Sequence, residues 1–173
     1  MVAPGLIQLE LLLPNVRGYE LMKSILLVED SKFLRIATER TLSKAGYNVS
    51  TASDGEEALR MAIRNVPDVV LLDMLLPRLA GLEVLQELKH NPATAKVPII
   101  VLSCLSDKNE QKLKSDGATA YFEKSRLDAN HGSEALLDTI EETLATSLKH
   151  RERTLIFYWW KTRRSIPTRS RII

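Results

Sequence analysis

The sequence predicts an α/β protein in which five parallel strands form one doubly wound sheet, in a (βα)5 order. Short aliphatic runs alternate with segments of helical spacing through most of the 173 residues. Three of the runs, 24–29, 68–73 and 97–103, are nearly continuous in Ile, Leu and Val, as strands covered on both faces are. A hydrophobic share of 45% with 27% charged residues supplies the core such a fold needs. Parallel strands joined by helices make right-handed crossovers, which lead to an open sheet.

The elements follow in order. The first strand is 24–29, Ser-Ile-Leu-Leu-Val-Glu. A helix over 31–45 puts Phe33, Leu34, Ala37, Thr41, Leu42 and Ala45 toward one side, and Gly46 ends it as a C-terminal cap. The second strand is 47–52. The second helix, 55–65, starts at Asp54 with Glu57 three residues on, a spacing like that of a capping box. The third strand, 68–73, is followed by a helix over 81–90 carrying Leu82, Val84, Leu85 and Leu88. The fourth strand, 97–103, is followed by a helix over 107–116 closed by Gly117, and the fifth strand, 120–123, by a helix over 133–149.

The formal charge of +2 averages unlike parts. Residues 151–173 hold seven of the 24 basic residues and one of the 22 acidic ones, a charge of +6, which leaves −4 on residues 1–150. Four of the nine aromatics, both tryptophans among them, lie in the same last 23 residues. Residues 1–21 have an apolar patch from Leu6 to Leu13 but lack the flanking charge and cleavage site of a secretory signal. They are expected to form a poorly ordered extension, with the working domain over 22–150 and a basic, aromatic, irregular tail over 151–173. Twenty-three residues cannot build a helix-turn-helix module with its own core, so sequence-specific nucleic-acid binding is not expected. No apolar run approaches the 18 residues of a membrane span. The lone Cys104 excludes an internal disulfide, and its type is most often a small buried residue. His90, His131 and His150 show no metal-ligand spacing.

In a doubly wound sheet the site lies at the carboxyl ends of the strands. The first strand ends in Glu29-Asp30, the third in Asp73, the fourth in Ser103, and Lys124 follows the fifth. Singly, each is an ordinary cap, turn or surface residue. Together they place three carboxylates, a hydroxyl and an ammonium on one edge. Converging carboxylates repel, and a hard divalent cation such as Mg²⁺ with oxygen ligands relieves them. Asp73 would be the nucleophile of a phosphoryl transfer, with Lys124 balancing the charge on the transferred group and Ser103 donating a hydrogen bond to one of its oxygens.

Five stretches, Val28-Glu29-Asp30-Ser31, Leu71–Pro77 with Asp73, Gly81, Val101-Leu102-Ser103 and Gly117–Lys124, resemble the receiver domain of bacterial two-component response regulators. The resemblance covers about residues 23–149. It implies the flavodoxin-like strand order 2-1-3-4-5. It also implies roles: Asp73 as phosphoacceptor, Asp30 as direct Mg²⁺ ligand with Glu29 beside it, the backbone carbonyl of Leu75 as a further ligand, Ser103 and Tyr121 as the switch pair, and Lys124 on the acyl phosphate. A cytoplasmic, single-domain regulator is implied, not a dedicated enzyme. Its donor would be a sensor histidine kinase or a histidine phosphotransfer protein, and its output a protein–protein contact with an unidentified target.

The sequence departs from the family in three places. Ser125 stands after Lys124 where Pro is usual, so a trans peptide is expected, since a cis bond before a non-proline costs about 2.5–4 kcal/mol. The stretch from Ser125 to Ser133 is a few residues long for the family, and Leu76 stands where Met is common. Ser125 leaves open a second reading, a receiver-like interaction module that does not turn over phosphate. Phosphatases of the haloacid dehalogenase type need a second Asp two residues past the nucleophile, where this chain has Leu75. A flavodoxin-like cofactor site fits poorly, because the acidic loop after the first strand would repel a phosphate.

Overall fold

Alternate residues of the central strands feed two separate apolar layers, and this decides the architecture. In a computed structural model that describes residues 22–104, 110–128 and 132–164, the strands are β1 (Ser24–Val28), β2 (Asn48–Ala52), β3 (Val69–Asp73), β4 (Ile99–Ser103) and β5 (Ala120–Glu123). They pair in parallel in the order β2-β1-β3-β4-β5. The helices are α1 (Lys32–Lys44), α2 (Gly55–Arg64), α3 (Gly81–His90), α4 (Glu110–Ser115) and α5 (Gly132–Arg164), with a 3-10 turn at Lys124–Asp128. Leu26, Val28, Val70, Leu72, Ile99 and Val101 point to one layer, with Ala58 and Ala62 of α2, Val84, Leu85 and Leu88 of α3, and Leu113 of α4. Ile25, Leu27, Val69, Leu71, Ile100, Leu102 and Phe122 point to the other, with Leu42 of α1 and Leu136 and Ile140 of α5. The sheet therefore carries α2, α3 and α4 on one face and α1 and α5 on the other.

The strand starts follow from local chemistry. β4 begins at Ile99, two residues later than the apolar run, because Pro98 has no N–H for the ladder. Asp54 caps α2 by accepting from the Glu57 N–H at 2.9 Å. Glu57 reaches back to the N–H of Ser53 rather than that of Asp54, at 2.9 Å. Gly46 closes α1 at a φ of 92°, where a side chain would be strained.

Three expectations are corrected. The inward stripe of α1 is centred on Thr38 and Leu42, with Leu34 half-buried, and Phe33, Ala37 and Ala45 face solvent. The strict i, i+4 row meets the sheet, and Phe33, 80% exposed, lies off it. Cys104 is exposed, because it stands one residue past the end of β4. Finally, α5 runs without a break to Arg164, so 151–164 is helical rather than irregular. No Gly or Pro occurs between Gly132 and Pro167, and Lys, Arg, Glu and Leu are good helix formers. The extension over 1–21, residues 107–109 of the fourth predicted helix, His131, and 165–173 lie outside the described residues.

Candidate functional site

Parallel pairing brings the strand ends to one edge. Glu29 follows β1 directly, and Asp73 is the last residue of β3. Leu102 stands opposite Asp73 in the ladder, so Ser103 lies one step beyond it. Ser103 in turn faces Glu123, the residue before Lys124. Glu29, Asp73, Ser103 and Lys124 are all buried, whereas Asp30 is exposed.

Lys124 sits at the centre of the group. Its Nζ lies 2.6 Å from Glu29 Oε2 and 2.6 Å from Asp73 Oδ2. Asp73 Oδ1 accepts from the Leu75 N–H at 3.0 Å, so both oxygens of this carboxylate are held. Glu29 Oε1 accepts from the Ser31 N–H at 3.3 Å. Carboxylate oxygens of Glu29, Asp30 and Asp73 all lie within 4.8 Å of one another. Burial pushes the Glu29 carboxyl above its ordinary value of 4.5, against the pull of Lys124 and with a further push from Asp73. Burial would pull the Lys124 ammonium down, but its bonds to Asp73 and Glu29 outweigh this and hold its pKa up. The edge therefore holds a protonated lysine shared between two desolvated acids, with a third acid at the rim.

The close fit at Asp73 depends on Gly81. A Cβ there would collide with the backbone oxygen of Asp73 and lie 2.6 Å from the Met74 Cα. Without a side chain, α3 starts directly against the strand end, and the Gly81 N–H donates to the Met74 carbonyl at 3.3 Å. The side chain of Leu75 is 68% exposed, so this residue offers the site its backbone only. Tyr121 is half-buried against the layer under α2 to α4.

The Lys124–Ser125 peptide is trans, as expected for a non-proline residue. The chain then enters the 3-10 turn, where Ser125 Oγ donates to Glu123 Oε1 at 2.7 Å and the Arg126 guanidinium lies 5.3 Å from the Phe122 ring centroid. Part of the stretch between β5 and α5 forms this turn, and α5 begins at Gly132.

Two arginines escaped the reading of the sequence. Arg35 Nη1 donates to the Glu29 carbonyl at 2.7 Å and to the Asp30 carbonyl at 3.1 Å. Arg78, at a φ of 67°, pairs with the buried Asp54 at 2.7 Å and so ties the loop after Asp73 to the start of α2. Nothing in periodicity marks either residue. The only available signal for Arg35 was a long donor about a turn and a half after an acidic pair. His90 Nδ1 is bonded to the Gln86 carbonyl of its own helix at 2.7 Å, a local structural use.

A family model described as the response regulator receiver domain matches residues 25–136. The gliding motility regulatory protein of Myxococcus xanthus is 40% identical over 119 residues, which is 68% of this chain and 15% of that protein. Among solved structures, the chemotaxis response regulator CheY4 of Vibrio cholerae is similar at a TM-score of 0.64 and 33% identity, over 70% of this chain and 98% of that one. A receiver domain protein from Methanospirillum hungatei aligns at a TM-score of 0.66 and 27% identity, over 75% of this chain and 98% of that one. The chain spans less than half the length of the curated relatives it matches.

Proposed function

The chain belongs to the response regulator receiver family, and from that premise we propose that Asp73 accepts a phosphoryl group from the phosphohistidine of a sensor kinase or phosphotransfer protein. The observation that carries this is the Lys124 ammonium held 2.6 Å from both Glu29 and Asp73 beside a cluster of three carboxylates. The working domain is 22–150, and the encounter takes place in the cytoplasm. The output is a changed contact with a protein target, without sequence-specific nucleic-acid binding.

The donor set is all oxygen, which suits a hard divalent cation. Glu29, Asp30 and Asp73 would hold Mg²⁺ through carboxylates and Leu75 through its backbone carbonyl. Bound there, Mg²⁺ supplies charge neutralisation at the phosphoryl oxygens. One Asp73 oxygen forms the new bond to phosphorus while the bond from phosphorus to the imidazole nitrogen breaks, and the imidazole leaves with the electron pair. The Leu75 N–H and Lys124 fix the plane of the Asp73 carboxylate, so little reorganisation is needed during transfer. Lys124 remains charged throughout and follows the negative charge on the transferred group. Water later hydrolyses the acyl phosphate and returns Asp73.

Ser103 is the switch hydroxyl and Tyr121 the switch aromatic. A phosphoryl group adds acceptor oxygens at the end of β3, one of which Ser103 satisfies by turning toward it. The space vacated admits the Tyr121 ring, and the surface formed by α4, β5 and α5 changes shape.

Incubation with Mg²⁺ and acetyl phosphate, read by intact-protein mass, tests the reading. Wild type gains the mass of one phosphoryl group, and Asp73→Ala gains none. No gain in wild type, under conditions that label a known receiver, assigns the chain to the interaction modules that do not turn over phosphate.

A further inference from the structure

We infer that Arg35 is a positioning residue for divalent-cation binding, acting through the backbone of the acidic turn between β1 and α1. This rests on the metal site proposed above and adds a residue that touches neither metal nor phosphate.

The geometry is that of a clamp on two consecutive peptide groups. Arg35 Nη1 reaches back from the first turn of α1 and donates to the Glu29 carbonyl at 2.7 Å and the Asp30 carbonyl at 3.1 Å. A peptide unit is planar, with its C=O and N–H pointing opposite ways. Holding the Asp30 carbonyl toward Arg35 therefore turns the N–H of the same unit, that of Ser31, away from it. That N–H donates to Glu29 Oε1 at 3.3 Å. One arginine thus fixes the peptide plane whose other end holds the Glu29 carboxylate. The Glu29 N–H is anchored independently, on the Ala52 carbonyl at 3.1 Å. With both sides of the turn fixed, the Cα–Cβ directions of Glu29 and Asp30 are fixed as well, and these aim two of the three clustered carboxylates.

Charge works in the same sense. Hydrogen bonds from a charged guanidinium to carbonyls are stronger than neutral ones. The guanidinium also sets a positive charge behind a group of three acids, which lowers the cost of assembling them before any cation arrives. Partners of this outer kind orient ligands without touching the metal.

Mn²⁺ alone is the probe, titrated into the full-length protein without phosphodonor and followed by the EPR signal of the free ion. Arg35→Met should weaken binding about tenfold, within the range seen when an outer partner of a ligand is removed. Arg35→Lys, which keeps the charge but not the rigid fork, should fall between Arg35→Met and wild type. Arg40→Met removes a positive charge from an exposed position of the same helix and should stay within about twofold of wild type, because only the screened long-range field changes. Far-UV circular dichroism checks that each variant is folded, and if Arg35→Met is not, Arg35→Lys decides. Wild-type affinity in a folded Arg35 variant overturns the inference while the metal site stands. Equal weakening in Arg35→Met and Arg40→Met also overturns it, since the loss would then be a field effect. Failure of wild type itself to bind Mn²⁺ removes the metal site and this inference with it.

Discussion

At the amino edge of the sheet, Asp68 takes hydrogen bonds from the Ser24 N–H at 2.9 Å and the Ser24 hydroxyl at 3.0 Å, and Lys23 lies 3.5 Å away. Burial would raise its pKa, but these partners outweigh burial and hold it below the ordinary 3.8. At the carboxyl edge Glu29 also has a lysine partner, closer still, yet its pKa is pushed above 4.5 because burial outweighs Lys124 and Asp73 adds repulsion. Two acids, each with one lysine, thus lie on opposite sides of their ordinary values. The amino edge matches one acid to one base and two donors. The carboxyl edge sets one ammonium against two buried carboxylates, with a third acid at the rim, and that net negative charge is what a cation would offset. Net buried charge separates the candidate working edge from the structural one more clearly than the number of ion pairs does.

This contrast can be broken at several points. The largest effect should come from Lys124→Met, which leaves two buried acids without their shared ammonium. Breaking a buried pair from one side costs about 3–5 kcal/mol, and urea unfolding in EDTA should show it. A loss near zero would mean that water already serves these acids and that the edge is not strained. The next test is one of sign. Asp68→Asn removes charge-assisted bonds and should lower stability by about 1 kcal/mol, whereas Glu29→Gln removes a surplus buried charge and should leave the midpoint unchanged or higher. Equal losses in both would erase the difference between the edges.

A pH series sharpens the same point. Asp68 has a lowered folded pKa, so its contribution is complete above 3.8 and is lost as pH falls through the folded value. Glu29 has a raised folded pKa, so in the window above 4.5 the folded state binds the extra proton and stability falls as pH rises. The difference between wild type and each variant, measured without metal, should therefore slope in opposite directions. The smallest effect concerns strain. Arg78 has the only positive φ among the described non-glycine residues, and it too sits at the working edge. Arg78→Gly and Arg78→Ala both lose the pair with Asp54, but the glycine variant should be more stable by about 1 kcal/mol, because it relieves the left-handed backbone. Equal stability would show that the loop after Asp73 stores no strain.

The architecture was open to reading because β3 and β4 are buried on both faces, and such strands need unbroken aliphatic runs whatever their neighbours are. The candidate site was legible for a topological reason: parallel strands deliver their ends to one edge, so the carboxylates of Glu29, Asp30 and Asp73 and the ammonium of Lys124 could be grouped before any distance was known. What stayed hidden depends on contacts remote in sequence or on the course of a turn. The Asp68–Ser24 bonds span 44 residues. Arg35 finds its carbonyls only once the acidic turn has folded under α1. Arg78 occupies a conformation that sequence rules assign to glycine. The exposure of Phe33 stayed hidden because a helical stripe gives the period of the apolar row but fixes its rotation only loosely, and the length of α5 because Pro167 and its flanking Ser and Thr signal an irregular end without saying how far upstream it reaches.

One feature of α5 has a mechanical side. Its Leu136 and Ile140 are buried against the sheet, while Leu148 is already exposed and the helix continues to Arg164. At a rise of about 1.5 Å per residue, the stretch beyond Leu148 adds roughly 24 Å of helix. A rigid rod seated at one end is a lever, so a tilt of about 5° at the seat displaces the tip of such a rod by about 2 Å. A shift at its base too small to resolve among packed side chains would reach the far end of α5 as a movement larger than a bond length.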